Sequence, residues 1–473
     1  MAVIDIPIVG QSYHLKDWAI DCQRTVNLYP QIIESGNTPQ VSALLPTEGL
    51  NKLYDYGVGP IRGMYALTDQ LLFVSGNKLY SLDKDGWLTT VGDIDGADLV
   101  TFADDSLHVV ISADSMYKYV IATKILTKLV INDDTGFFGA TSVTFLDSRF
   151  IWTVPNSGRI QWSKLLSSDT TALSYATAET KSDNLVRVIA SNGQLWLIGE
   201  KTTEIWNSTG AQDAPYQRQS GAYIPVGCLA KNSISVFGSG LVWLAQTEHG
   251  SNQIIMMNGY QPERISNHAI ETEISNYTKT DDAYSFAYQS NGHSFYVISF
   301  PSAKKTWCFD ATTRMWHERS FYNAETSKHE HHHAMTHCFF SGQHLVGDRA
   351  NGKIYKLDAN KQTDDGETIV RERTTPCLNP HATRMIFDEV QLICQVGQDE
   401  NTKPQIMFDW SDDNGKTWSN DRLEEIANDL GAIGEYQKRV IFRRLGQSFG
   451  RVFRVRMTDA GRLILLGAKA KVR

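Results

Sequence analysis

LLFVSGNKLYSLD, residues 71–83, decides the fold. Four apolar residues run without a break, a Ser-Gly-Asn-Lys turn follows, and a second short strand carries Tyr80 and ends on Asp83. Short apolar, β-favouring runs on either side of turn chemistry read as a β-hairpin. The same design returns six times: LHVVISADSMYKY (107–119), FIWTVPNSGRIQW (150–162), LWLIGEKTTEIW (195–206), LVWLAQTEHGSNQIIMM (241–257), FYVISFPSAKKTWCFD (295–310) and LVGDRANGKIYKLD (345–358). Successive starts lie 36, 43, 45, 46, 54 and 50 residues apart.

One hairpin in every 40 to 50 residues is the signature of a β-propeller. Each unit is a small sheet that cannot cover both of its faces. Radial stacking hides those faces and leaves only short edges. Seven hairpins fit six or seven blades; the alternative is an array of β-sandwiches with unrelated hairpins.

Helical periodicity is rare outside the repeats. Residues 421–430, with acids early and Gly431 as a stop, form the clearest expected helix. Residues 359–379 are polar, with Pro376 and Pro380 near the end of the stretch, and read as the exit from the repeats. Strand patterns resume after Arg384 in MIFDEVQLICQVG, QIMFDWSDD, RVIFRRLG and RVFRVRM. The expectation is an all-β chain: an N-terminal arm and first strands over 1–55, β-propeller-like repeats of six or seven blades over 56–360, a linker over 361–383, and a C-terminal β-sandwich with a basic tail over 384–473.

The composition is that of a globular protein, 41% hydrophobic and 10% aromatic over 473 residues. A net charge of −8 argues against a nucleic-acid coat. The charge is uneven, however. Residues 436–473 hold eleven Lys or Arg against one acid, Asp459, which is +10 and leaves −18 for the rest. Six scattered cysteines without a CxxC pair form no disulfide framework and read as buried free thiols of a reducing compartment. MAVIDIPIVG has no basic segment ahead of an apolar run, so no signal peptide is expected. No stretch approaches 18 apolar residues, so no membrane span is expected either, and folding in the cytosol follows.

Three motifs carry local chemistry. SDDNGKTW, residues 411–418, matches the Asp-box pattern S-x-D-x-G-x-T-W. Ser411 and Asp413 sit in its turn, Asp413 and Asn414 can bond turn backbone, Gly415 permits positive φ, and Trp418 is expected to pack under the hairpin. This is a folding device, expected away from any active site. The cluster His329, His331, His332, His333 and His337 beside Cys338 can capture Ni or Zn. A specific site needs a fixed second shell, so a solvated inter-strand loop is expected, with a metal or pH-responsive site as the alternative. Arg439, Arg443, Arg444, Arg451, Arg454 and Arg456 form the third group. The alternation in RVFRVRM places Arg454 and Arg456 on one strand face. Such a strip suits an acidic partner or DNA phosphate, or is a solvated face that discourages edge pairing.

No GxSxG, HExxH, P-loop or dinucleotide fingerprint is present. No catalytic residue, cofactor or metal is implied. A propeller that binds or, like a sialidase, cleaves glycans is the alternative; it needs clustered carboxylates and aromatics in a concave pocket.

Five stretches resemble one known family. They are DCQRTVNLYP (21–30), LLPTEGL (44–50), RQSGAYIPVG (218–227), GYQPERIS (259–266), and 439–467 with RRLGQS and RVFRVRMTDAGRLILLGA. They resemble the packaged-DNA stabilisation, or tail accessory, proteins of short-tailed phages. The resemblance implies a non-enzymatic virion protein of the tail, assembled in the bacterial cytoplasm as a homohexameric ring. It further implies contact with the portal-adaptor, the tail needle or plug and tailspike or fibre proteins. Retention of packaged DNA, and passage of double-stranded DNA without sequence specificity, follow from the same resemblance.

Overall fold

The computed structural model describes residues 2–15, 21–34, 41–132, 136–178, 181, 183–378, 383–398, 403–419 and 427–473. Seven antiparallel sheets succeed one another along the chain: 61–93, 101–129, 143–177, 185–224, 227–264, 284–318, and 334–358 joined by 49–57. Every one of the seven hairpins is the central strand pair of one of these blades. All of Gln70–Ser75 is buried because a blade is covered on both faces by its neighbours. That burial is why the stretch reads as an unbroken apolar run. Seven apolar clusters fill the seven seams in cyclic order, ending with Ile61, Phe73, Leu345 and Ile354 between the last blade and the first. The blade count is therefore seven.

The ring is closed by a strand from the other end of the repeats. Gly49–Gly57 pairs with Gly352–Asp358 as the outer strand of the seventh blade, with Gly49 opposite Asp358 and Gly57 opposite Gly352. The glycines at that last rung are required: a Cβ on Gly352 would stand 2.1 Å from Gly57 Cα. The boundary at residue 55 thus needs correction, since an arm ending there is cut through a blade.

The second domain is a β-sandwich. One sheet holds Val440–Arg443, Met385–Cys394, Leu465–Val472, Ser42–Pro46 and Leu28–Ile32, with Ala2–Ile6 against Leu465–Val472. The facing strands are Arg371–Thr374, Val452–Met457, Gln405–Ser411 and Ala427–Asp429. Between them Phe408 stacks on Phe442 at 4.5 Å, and Phe387 meets Phe453 edge-on at 5.4 Å. The expected helix over 421–430 lies largely outside the described residues; its described end, Ala427–Asp429, is strand. The helix that does form is His268–Ser275, capped by the Asn267 side chain.

The two domains share one sheet. From the outer strand of the sixth blade, Met315–Glu318, it passes through Thr25–Val26 to Arg371–Thr374 and on into the sandwich. The linker expected over 361–383 is therefore corrected in part: RERT, residues 371–374, is a buried strand. Its arginines hid it. Arg373 is fully buried and donates to the Ile8 and Gln11 carbonyls and to Thr25 Oγ1 at 2.6, 3.1 and 2.8 Å, pinning the N-terminal segment. With no acid beside it, burial lowers its pKa to about 9, slightly offset by the more distant Asp21. All six cysteines are free thiols, four of them buried. Among the described residues no helix is long and apolar enough to cross a membrane.

Candidate functional site: a charged cleft between propeller and sandwich

Where the shared sheet crosses between domains, a cleft of about 530 Å³ opens. Its floor is built from two stretches. Glu318 ends the outer strand of the sixth blade, and Arg24 precedes Thr25–Val26. The Arg24 guanidinium bonds both Glu318 oxygens, at 2.7 and 2.8 Å, and reaches Glu372 at 3.5 Å. Lys305 shares Glu318 at 3.2 Å. Burial would raise the Glu318 pKa, but Arg24 and Lys305 outweigh it and hold this carboxyl well below the usual range.

The stretch DCQRTVNLYP explains itself here. Asn27 sits in the left-handed region at φ 54°. From there its amide donates to the Ser320 and Val370 carbonyls at 2.9 and 2.8 Å and accepts from Ser320 N at 2.9 Å. Three elements distant in sequence are clasped by one side chain.

The sandwich supplies the other wall. On Val452–Met457, Phe453, Val455 and Met457 enter the core, while Arg454 and Arg456 line the cleft. Arg454 stands opposite Asp409 on the neighbouring strand and bonds it at 2.6 Å; Arg456 shares that oxygen at 3.4 Å. The Arg454 guanidinium lies 4.1 Å above the Trp418 ring. Gly415 and Trp418 of the Asp box thus face the cleft. Trp418 is half-buried beneath the Arg454 guanidinium. The turn itself forms as the motif requires. Ser411 Oγ donates to Asp413 at 2.7 Å and accepts from Gly415 N at 2.7 Å, and Gly415 has φ 89°. Burial opposes the Asp413 charge, but Ser411 and Thr417 hydrogen bonds prevail and hold its pKa near 2.

The six arginines do not make one strip. Arg451 is buried, bonding Asp412 at 2.7 and 2.8 Å between the Phe387 and Trp410 rings. Arg439, Arg443 and Arg444 are exposed on or beside the opposite sheet, where Arg439 bonds Gln391 and Arg443 bonds Glu389. Strand alternation joined Arg454 to Arg456. It could not reveal Arg24, Lys305 or Glu318, and only the charged residues inside otherwise apolar strands hinted at them.

The histidines also need correction. His329 and His331 lie on the strand Lys328–His331, and His337 on Ala334–Phe340; the cluster is not a solvated loop. His331 and His332 are buried, His329 bonds Ser320 Oγ at 2.7 Å, and His337 meets His344 at 3.1 Å. Among the described residues no cluster is arranged to hold a metal. Desolvation, reinforced by Arg24 at His329 and by Arg349 at His331, lowers both pKa values to about 4; desolvation and His344 take His337 to about 3.

These shifts set a pH dependence. An unfolded histidine titrates near ~6.5, so below that pH the unfolded chain binds protons that the folded one refuses. The resulting stability is complete above pH ~6.5 and is lost as pH falls toward 4. The melting temperature is expected to drop by several degrees between pH 7 and pH 4.5, and calorimetry at fixed ionic strength checks it. A flat profile would show that these histidines protonate freely in the fold.

Glu318, clamped as an anion, cannot serve as the protonated acid that glycan cleavage requires.

A family model described as Bacteriophage P22 Gp10, beta-propeller matches residues 4–362, and its companion, Bacteriophage P22 Gp10, beta-sandwich, matches residues 370–473. No curated protein sequence matches. Similar solved structures include a streptogramin B lyase at 15% identity, covering 65% of this chain and 96% of that one with a TM-score of 0.43. The WD40 propeller domain of Doa1 is 12% identical, with 66% and 96% covered and a TM-score of 0.40. The N-terminal domain of Nup159 is 9% identical, with 71% and 98% covered and a TM-score of 0.41. With both domains matched in order along nearly its whole length, the chain belongs to the bacteriophage P22 Gp10 family of packaged-DNA stabilisation proteins.

Proposed function

We propose that this phage structural protein is the repeating subunit of a tail hub. Six copies form a ring below the portal-adaptor, carry the needle or plug and the tailspikes or fibres, keep packaged DNA from leaking, and line the ejection path in the virion tail. Family membership supports this reading, and one structural observation carries it: the sheet that runs unbroken from the sixth blade into the sandwich. Backbone hydrogen bonds across the junction make the two domains one stiff body, as a load-holding ring requires and a tethered binding module does not. The exposed Arg439, Arg443 and Arg444 are its proposed contact with a partner or with passing DNA, and buried Arg451 is a structural residue.

Electron microscopy of the chain mixed with purified portal-adaptor complex tests the reading. A six-fold density below the adaptor is expected, together with DNA leakage from particles assembled without the chain. No association with the adaptor, together with full DNA retention in those particles, would refute it.

A further inference from the structure

The cleft holds more positive charge than its own carboxylates take up. Arg454 and Arg456 share one carboxylate, Asp409, and Arg24 and Lys305 share Glu318. Arg454 uses Nε and Nη2 on Asp409, and the buried Nε of Arg456 has no acceptor among the described residues. Lys328 is exposed at the rim and makes no ion pair among the described residues. Among the described residues, five cations (Arg24, Lys305, Lys328, Arg454 and Arg456) face four carboxylates (Glu273, Glu318, Glu372 and Asp409), so the cleft is cationic in a chain whose net charge is −8. Trp418 and Tyr322 present half-buried rings beside these charges.

We propose that this cleft is a docking site for an extended acidic peptide segment of another protein, whose carboxylates bond Arg456 and Lys328 and whose apolar side chain lies against Trp418. Two features select a peptide over nucleic acid. A recess of about 530 Å³ suits a few residues and cannot admit a duplex. A phosphate backbone carries one charge per ~1.7 Å of duplex axis, and Glu273, Glu318 and Glu372 would face it at close quarters. A peptide places its few charges where the cations are unsatisfied, and its backbone can bond the mixed polar floor.

This site goes beyond the hub reading and does not require it. A purified chain and a synthetic peptide suffice, so failure to assemble on the adaptor leaves it intact, and the reverse holds too. The probe is a fluorescein-labelled five-residue peptide with four glutamates around one tryptophan, followed by fluorescence anisotropy on the full chain. Saturable binding is expected. Lys328→Gln and Arg456→Gln should each weaken it about tenfold with an unchanged melting curve, while Lys124→Gln, in an exposed turn of the second blade, should leave it unaltered. The Lys328 side chain is exposed and makes no ion pair among the described residues, so that variant keeps the test valid if Arg456→Gln disturbs the fold. No binding by the unaltered chain overturns the proposal, and so does an equal loss in Lys124→Gln. Displacement by inorganic phosphate at equal concentration, or stronger competition by a short DNA duplex, also overturns it, since either would make the cleft a simple anion or nucleic-acid site.

Discussion

Gly352→Ala is expected to destabilise the propeller by about 3 kcal/mol or more, a large effect for one methyl group. The added Cβ would lie 2.1 and 2.2 Å from Gly57 Cα and C. Those atoms belong to the partner strand of a β-ladder and cannot rotate aside as a side chain could. The clash falls on the rung that seals the ring, so the strand Gly49–Gly57 must detach locally or shift register, and a one-residue shift turns its buried side chains outward. Gly250→Ala is the control: a Cβ there meets nothing within 4 Å, and a change within about 0.5 kcal/mol is expected. Urea midpoints of the two variants provide the comparison. Equal midpoints would show that the closing rung bears no strain.

Removing the charge of Glu48 should cost about as much. Glu48, in the stretch LLPTEGL, is buried against Arg319 at 3.1 Å and accepts from Tyr288 Oη at 2.9 Å. Arg319 is 1% exposed and lies 5.4 and 5.2 Å from the Tyr288 and Phe295 rings. Glu48→Ala strands this guanidinium in the core, at an expected cost of about 3–5 kcal/mol. The pair itself is imperfect, because Glu48 Oε1 and Arg319 Nε have no partner among the described residues. The double variant Glu48→Leu, Arg319→Met is therefore expected to regain most of the loss, since apolar packing replaces an under-bonded pair. A double variant as unstable as the single one would show that the pair contributes net stability. Thermal melts of the single and double variants decide between these outcomes.

The repeats were legible because each central hairpin is buried on both faces, and burial writes itself as apolar runs. The number of blades was not, because the fourth strand of the last blade comes from Gly49–Gly57, a segment with no hairpin of its own. The polar stretch at 371–374 was misleading for a related reason: its arginines are buried by bonding backbone carbonyls, which composition does not register. Of the cleft, alternation along Val452–Met457 gave the shared face of Arg454 and Arg456. The pairing of Arg24 with Glu318, 294 residues apart, has no local signature. Dense histidines suggested a wet loop, yet His329 and His337 bond Ser320 and His344 inside the fold, and His331 and His332 are buried.

The order of synthesis adds a constraint. Gly49–Gly57 leaves the ribosome about 300 residues before its partner Gly352–Asp358, and Ala2–Ile6 waits longer still for Leu465–Val472. At ~5–20 residues per second, the nascent chain carries a naked strand edge for tens of seconds. The six blades made in between can stack as they emerge, but the wheel locks only once residues 352–358 have been made, so termination before that point leaves an open, adhesive arc rather than a smaller closed ring.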